Sequence, residues 1–359
     1  MKPHKSIGLA GAFIEEAIED GLFPGCTLSI RYGGLDLDLA FGRLAYAPWV
    51  ARVTVDTVYD LASLTKPLAT ALAVLALVTE GRMRLDSSLD DLLPSVPDDK
   101  RSITVSMLLS HSSGLPAHRP YYNRLVTLPL EERRGALLDM ILSEPLECVK
   151  RPIYSDLGFM LLGFIVEDIM AMPLNEAVHR LVFMPFDARQ LWFSGEDLMP
   201  LHDFAPSAGF CGLRKRVLWG EVNDQNAWAL GGIAGHAGLF GTASCIKAML
   251  SRLLSLYKGE SIVPGFTSGL VRKAFTPCCG TWGLGFDTPS VYGSTSGRFF
   301  SKNSVGHLGF TGTSFWMDLD QGVIVVFLSN RTFPHHAEAK QEEMRRFRAR
   351  LHDAIMTTL

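Results

Sequence analysis

The feature that most constrains the fold is an apolar run at residues 68–78, which directly follows the tetrapeptide Ser-Leu-Thr-Lys at residues 63–66. The run is apolar nearly all round and therefore predicts a buried helix that extends to about Glu80. At roughly eleven residues it is too short to cross a bilayer, so we expect no membrane span. A lysine that leads into a buried helix is costly unless the protein uses its charge. The run therefore predicts a core helix with a functional lysine at its start.

Ser63 and Lys66 stand three residues apart, which places both side chains on one face of a helix. The first turn of a helix also has unpaired N–H groups and the positive end of the helix dipole. A hydroxyl nucleophile, an amine that accepts its proton and N–H donors for an oxyanion are the parts of an acyl-transfer site. Burial is expected to lower the pKa of Lys66 and make it a usable base. The alternative is that Ser63 only caps the helix and Lys66 is a solvated surface residue.

Two further segments carry residues that could complete this site. Tyr154 and Asp156 precede a predicted helix, and Tyr154 could act as a general base if a neighbouring cation lowers its pKa. Residues 306–312 predict a strand that turns, where Gly309 would admit a substrate to the strand edge and Phe310 would offer an N–H to an oxyanion. The alternatives are a tyrosine packed in the core and an ordinary strand with glycine bulges.

Composition excludes some classes of function. The chain has 359 residues, of which 47% are hydrophobic, enough for a large core in one domain or in two interleaved lobes. The net charge of −3 gives no basic field for nucleic acid. The cysteines are scattered except for the adjacent Cys278 and Cys279, and we expect free thiols in a reducing compartment. His335 and His336 lack a well-spaced partner, so we expect no metal and no cofactor. Acidic residues interrupt the first apolar segment, so we expect no signal peptide and a cytoplasmic location.

The hydrophobic patterns predict a helix and a hairpin, then a helical middle, then further strands and a last helix. The predicted elements are a helix at 7–20, strands at 26–32 and 35–41, helices at 130–143 and 156–170, strands at 283–287, 304–309, 314–318 and 323–329, and a helix at 337–355. Residues 192–226 show little periodicity and are predicted to form a long functional loop. His236 lies in a glycine-dense segment that could also contribute to the site, but we favour a structural role in which its imidazole bonds to loop backbone.

This order of elements predicts an α/β (α+β) fold. Its antiparallel sheet would take strands from both ends of the chain, and helices would cover it. Residues 1–82 and 240–359 are predicted to form the sheet lobe, and residues 83–239 a mostly helical lobe. The active site is expected in the cleft between the lobes.

Three short motifs, in a fixed order and at wide separations, resemble those of the serine β-lactamase and penicillin-binding protein superfamily. They are Ser63-x-x-Lys66, Tyr154-x-Asp156 and His307-x-Gly309. The closer likeness is to the class C β-lactamase branch, with its family VIII-type esterases and D-amino-acid peptidases. Further segments that resemble this superfamily span nearly the whole chain. They lie at residues 23–25, 60–66, 109–116, 235–240 and 328–331. The resemblance implies a β-lactamase/transpeptidase-like fold, an antiparallel sheet flanked by helices with an inserted all-helical lobe.

The resemblance also implies a role for each motif residue. Ser63 is the acyl-accepting nucleophile. Lys66 and Tyr154 exchange the proton in acylation, and Tyr154 activates water for deacylation. Backbone N–H groups of Ser63 and Phe310 form the oxyanion hole, and His307 takes the place of the lysine in the third motif.

Two departures from the family pattern bear on the substrate. Asp156 stands where penicillin-recognising members carry asparagine, and an ionised carboxylate cannot donate to a substrate carbonyl. His307 is mostly uncharged at neutral pH, so it holds a substrate carboxylate less well than a lysine does. We therefore predict a serine hydrolase of the esterase or amidase type, acting on a small neutral ester or amide or on a substrate whose amino group meets Asp156. The predicted substrate-binding residues are Asp156, His307 and Gly309.

Other hypotheses remain open from the sequence. The same chemistry could act on peptidoglycan fragments or β-lactams, as in a penicillin-binding D-Ala peptidase or a β-lactamase. The acyl group could pass to an acceptor other than water, because the first half-reaction is the same. The fold could also serve as a binding or sensor module without turnover, although the joint presence of Ser63, Lys66 and Tyr154 argues against this. In each case we expect a small-molecule or peptide partner.

Overall fold

The computed structural model describes residues 7–147, 151–195, 203–334 and 340–359. The helices are α1 Gly8–Glu19, α2 Leu72–Thr79, α3 Leu89–Leu92, α4 Val105–Leu109, α5 Tyr122–Leu125, α6 Leu130–Ser143, α7 Asp156–Met170, α8 Leu174–Val178, α9 Met184–Phe186, α10 Gln225–Ala229, α11 Ala243–Lys258, α12 Ser268–Phe275 and α13 Gln341–Met356. The strands are β1 Gly25–Tyr32, β2 Leu35–Gly42, β3 Tyr59–Asp60, β4 Leu191–Phe193, β5 Ala208–Cys211, β6 Arg216–Leu218, β7 Leu239–Gly241, β8 Ser304–Leu308, β9 Ser314–Asp318 and β10 Val323–Ser329. A 3₁₀ helix at Ala62–Leu64 and π-helices at Lys66–Ala71 and His179–Phe183 complete the elements.

The main sheet has five antiparallel strands in the order β2-β1-β10-β9-β8, so it joins strands from the two ends of the chain as predicted. All residues of β10 are buried because helices cover both faces of the sheet. Val325 and Phe327 pack with α1 and α13 in one apolar cluster, whereas Val326 and Leu328 pack with α2 and α11 in the larger one. This alternation is that of a central strand whose successive side chains enter two different cores.

The predicted core helix is present but is not one uniform α-helix. It consists of the 3₁₀ helix, the π-helix and α2 in succession, and residues Leu72–Leu77 are almost completely buried. By length and composition the run Ala62–Thr79 could cross a membrane, but 83% of it is buried inside the molecule. Such burial is what a core helix shows, so the apolarity of the run is weak evidence for a membrane span.

Two sequence-based predictions about loops and strands are wrong. The long loop predicted at residues 192–226 contains the β5–β6 hairpin and the first residues of α10, while residues 196–202 lie outside the described residues. Its first residues belong to β4, which pairs with β7. These strands have only three or four residues, too few for a periodic pattern to stand out. The strand predicted at 283–287 is instead a bent segment with single bridges from Asp287 to Trp282 and Gly306. Its Gly285 has a φ of +87°, which breaks the extended conformation.

The other predicted elements are found within a few residues of the expected bounds, although part of the last predicted helix lies outside the described residues. The division into a sheet lobe and a helical lobe stays a prediction. The middle of the chain contributes strands β4 to β6 as well as helices, so it is not all-helical.

Candidate active site

Ser63 and Lys66 lie together at the start of the core helix. Ser63 is in the 3₁₀ helix that follows β3, and Lys66 is the first residue of the π-helix. The Nζ atom of Lys66 donates a hydrogen bond of 2.9 Å to Ser63 Oγ. The Lys66 side chain is 0% exposed, which rules out the alternative of a solvated surface lysine.

The backbone that presents Ser63 is held in an unusual conformation. Ala62 has a φ of +48°, a left-handed conformation that costs a residue with a side chain about 1–2 kcal/mol. The Ala62 N–H donates to Asp60 Oδ1 at 2.8 Å, and the Ala62 carbonyl accepts from Thr65 Oγ1 at 2.6 Å. Thr65 Oγ1 in turn accepts from the Leu239 N–H of β7 at 3.1 Å. These bonds stabilise the turn between β3 and the core helix, which contains Ser63.

The ammonium of Lys66 finds an acceptor for each of its three N–H groups. Besides Ser63 Oγ, these acceptors are Asp156 Oδ1 at 2.7 Å and the His236 carbonyl at 3.1 Å. Burial alone would lower the pKa of Lys66, but the charges of Asp156 and the hydroxyl of Tyr154 outweigh it and raise that pKa above its ordinary value. The predicted lowering is therefore wrong in direction, because Asp156 supplies a buried counter-charge. At rest Lys66 is an ammonium that donates to Ser63.

Tyr154 closes one side of the site. Its ring centroid lies 5.0 Å from Lys66 Nζ and 5.9 Å from the ring of His307. Burial raises the pKa of Tyr154; Lys66 opposes this shift, whereas Asp156 reinforces it. Tyr154 was predicted to act as a base if a neighbouring cation lowers its pKa, but in the resting site the net shift of that pKa is upward. Tyr154 is thus a neutral phenol next to a charged lysine.

His307 lies on β8 and is buried, with 2% of its surface exposed. Its Nδ1 lies 2.9 Å from the Leu308 carbonyl, and so carries the proton that this bond requires. Burial and the charge of Lys66 lower the pKa of His307 to about 3. The expectation of an uncharged imidazole is confirmed, and His307 offers no positive charge to a substrate.

The Gly309–Phe310 segment lies directly beside the turn that contains Ser63. A Cβ atom on Gly309 would be 1.9 Å from Thr313 Oγ1 and 2.8 Å from the Leu61 carbonyl, so packing alone requires glycine here. The Gly309 N–H donates to the Thr313 carbonyl at 2.7 Å, and the Phe310 carbonyl accepts from Arg331. A substrate contact at Gly309 and an oxyanion hole from the Ser63 and Phe310 N–H groups stay predictions.

Three residues of the site were missed by the sequence analysis. His118 Nδ1 lies 3.2 Å from Asp156 Oδ2, and the ring centroids of Trp282 and Tyr154 are 5.4 Å apart. Asp224 Oδ1 lies 3.0 Å from His236 Nε2, so this histidine pairs with a carboxylate and not with loop backbone as predicted. His118 lies two residues after the family-like segment 109–116, and this proximity is the sequence signal that could have identified it.

The described part of the chain holds no cluster of His, Cys, Asp or Glu suited to a metal ion. His335, His336 and Cys148 lie outside the described residues. A separate cavity of about 360 Å³ contains none of the residues named above as catalytic. It is lined by Met172, Asn175, Glu176, His179, Arg180, Phe183, Leu191, Trp192 and Phe193.

The chain matches the family described as Beta-lactamase over residues 12–349. A protein of Escherichia coli (strain K12), provisionally named D-alanyl-D-alanine carboxypeptidase, is 32% identical over 324 residues, which cover 81% of this chain and 73% of that protein. EstCE1, "a hydrolase with promiscuous acyltransferase activity", has a similar structure, with a TM-score of 0.77, 18% identity and coverage of 99% of this chain and 100% of EstCE1.

A class C β-lactamase from Rhodobacter sphaeroides has a TM-score of 0.70 and 19% identity, and the similarity covers 97% of this chain and 98% of that enzyme. These two structures establish the fold, an antiparallel sheet with flanking helices of the β-lactamase/transpeptidase-like type. The family match covers most of the sequence and includes all three motifs. The chain therefore belongs to the β-lactamase family and is a serine hydrolase of that family.

Proposed function

We propose that the chain hydrolyses small neutral esters or amides through a covalent acyl-enzyme on Ser63. The observation that carries this proposal is the buried Lys66, whose Nζ lies 2.9 Å from Ser63 Oγ and 2.7 Å from Asp156. Burying an ammonium is expensive, so its placement beside the Ser63 hydroxyl favours a catalytic role.

The proposed acylation starts from the fraction of molecules in which Lys66 has lost its proton. Ser63 Oγ then forms a bond to the acyl carbon and passes its proton to Lys66 Nζ, and the leaving group departs with the proton of Tyr154. The tyrosinate that remains lies against the new ammonium, which stabilises it. In deacylation, water gives a proton to Tyr154 and attacks the acyl carbon, while Ser63 recovers its proton from Lys66.

The charges of the site favour a neutral substrate. His307 is held uncharged where the penicillin-recognising relatives carry a lysine, so a substrate carboxylate gains no cation from it. Asp156 already contacts Lys66 through one carboxylate oxygen and His118 through the other, so less of its negative charge acts on a substrate amine. This leaves an uncharged acyl group as the better fit, with water or another acceptor in the second half-reaction.

A second candidate function is the removal of D-alanine from a peptide. It is favoured by the relative from Escherichia coli, whose provisional name states this activity. Such a substrate ends in a carboxylate and would need a cation that His307 does not supply. We therefore place it after the esterase or amidase function.

The test is intact-mass spectrometry after reaction with a fluorophosphonate, on the wild type and on Ser63→Ala. We expect one adduct on the wild type and none on the variant, with equal melting temperatures. Rates are then compared for p-nitrophenyl acetate, a neutral anilide, a peptide ending in D-Ala-D-Ala, and a penicillin. Faster turnover of the D-Ala peptide than of the ester would select the second function. A folded wild type without any adduct would overturn both and favour a binding module.

A further inference from the structure

A chain of polar contacts leads from the surface to the nucleophile. His118 Nδ1 lies 3.2 Å from Asp156 Oδ2, Asp156 Oδ1 lies 2.7 Å from Lys66 Nζ, and Nζ lies 2.9 Å from Ser63 Oγ. Side-chain exposure falls along this chain, from 48% for His118 to 18% for Asp156 and 0% for Lys66. The mechanism proposed above uses Lys66 and Ser63, with Asp156 as the counter-charge of Lys66, and gives His118 no role.

The backbone on both sides of His118 is fixed. The Ala117 carbonyl accepts from the Asp156 N–H at 2.9 Å, which joins the histidine loop directly to the start of α7. On the other side, Asn226 Nδ2 donates to the Arg119 carbonyl at 2.9 Å. Because the loop is tied to the residue that the imidazole contacts, the contact between His118 and Asp156 is built into the fold.

We propose that His118 is a positioning residue, which orients the Asp156 carboxylate and sets how much of its negative charge acts on Lys66. This inference rests on the proposed function, because it concerns the same acylation step. An Nδ1–H that donates to Oδ2 prevents the carboxylate from turning and leaves Oδ1 for Lys66. An uncharged imidazole provides only this bond, whereas an imidazolium also competes with Lys66 for the carboxylate charge.

The charged groups around His118 raise its pKa on balance. Its hydrogen bond with Asp156 raises the pKa of His118 above the ordinary value, against the opposing effect of partial burial. The carboxylate of Asp224, at the start of α10, raises this pKa further, and the ammonium of Lys66 lowers it. Arg119 bonds to the His118 carbonyl and is a further charge beside it.

The sign of the pH effect follows from these contacts. As the pH falls through the pKa of His118, the imidazolium shares the charge of Asp156, and Lys66 holds its own proton less tightly. A larger fraction of Lys66 is then neutral than if residue 118 stayed uncharged. The acylation rate of the wild type should therefore fall less steeply on acidification than that of a variant without a titratable group here.

The experiment measures the rate of fluorophosphonate labelling between about pH 5 and 9, a range that includes the usual titration of histidine, on the wild type, His118→Ala and His118→Asn. The asparagine amide can replace the Nδ1–H donor but carries no charge. We expect His118→Ala to label roughly tenfold more slowly, the scale of one hydrogen bond to a charged group. We expect His118→Asn to recover most of the rate at alkaline pH and to lose more of it than the wild type at acid pH.

His179→Asn is the matched control, since His179 is exposed and lies in the separate cavity. Melting temperatures establish that each variant is folded. Parallel pH profiles for the wild type and His118→Asn, together with an unchanged rate for His118→Ala, would overturn the inference. A wild type that is not labelled at all would instead refute the proposed function, so the two failures are distinct.

Discussion

At the scale of single residues, the identity of residue 156 determines the charge of the site. The aspartate gives the buried Lys66 an anion at 2.7 Å, and this pair holds the lysine in its protonated form. Asp156 itself has a pKa well below its ordinary value, because the charge of Lys66 and the hydrogen bond from His118 outweigh the effect of burial. Removing one partner of such a pair leaves the other charge buried and unpaired.

Asp156→Asn should therefore move the pH dependence of the reaction. Removing the anion takes away the largest effect that raises the pKa of Lys66, so burial lowers that pKa and neutral Lys66 becomes available at lower pH. We expect the rising limb of the pH profile of kcat/KM to shift to lower pH by at least about one unit, the usual effect of a close charge. Asp90→Asn, at a carboxylate that is 54% exposed, serves as the control. An unchanged limb in Asp156→Asn would show that Lys66 is not the titrating base.

At the scale of elements, the turn at residues 278–282 packs against Tyr154, the residue proposed to activate water in deacylation. The carbonyl of Trp282 accepts the N–H groups of Cys278 and Cys279 at 2.8 and 3.1 Å, which closes the turn. The indole ring packs against two rings of the site, with centroid distances of 5.4 Å to Tyr154 and 5.6 Å to His307. The packing of this turn thus limits the positions that the Tyr154 hydroxyl can take.

Trp282→Ala should lower kcat while leaving the fold intact. Without the indole, Tyr154 can move away from Ser63, and we expect a loss of roughly tenfold to a hundredfold, the cost of misplacing a reacting group by about an ångström. Trp49→Ala is the control for the loss of an indole, since Trp49 is 86% exposed. Steady-state kinetics with an activated ester and a thermal melt provide the two readings. A variant with wild-type kcat would show that Tyr154 keeps its position without the indole of Trp282.

The same scale shows where sequence patterns lose information. The helices at 130–143 and 156–170 were predicted with their observed bounds, because long amphipathic or apolar runs carry a clear period. The left-handed conformation of Ala62 and the π-helix after Ser63 carry no such signal, since contacts from distant segments impose them. The motif spacing sufficed to place Ser63 beside Lys66, whereas His118 joins the site through loop folding that no motif records.

At the scale of the whole molecule, the site depends on both ends of the chain. The N-terminal hairpin and the C-terminal strands form one sheet, and α13 packs over it beside α1. From α13, the buried Arg348 donates to the carbonyls of Gly309 and Thr313 at 3.1 and 2.8 Å. These two residues flank Phe310, the predicted oxyanion donor. The last helix therefore holds a turn that borders the nucleophile.

Arg348→Met tests this dependence because it keeps most of the side-chain volume and removes both donors. Burial and the neighbouring Arg331 and Arg345 lower the pKa of Arg348 to about 9, so losing this charge also removes an electrostatic cost that partly offsets the lost bonds. We expect a folded variant whose Gly309–Thr313 turn is looser.

The expected consequence is a kcat that falls roughly tenfold, less than the loss for a full misplacement of a reacting group, with a small change in melting temperature. Arg346→Met, on the same helix and 75% exposed, removes an arginine without touching the turn. Equal kcat values for both variants would show that the oxyanion turn is rigid without α13. A selective loss in Arg348→Met would show that the C-terminal helix acts on the site through two hydrogen bonds to backbone.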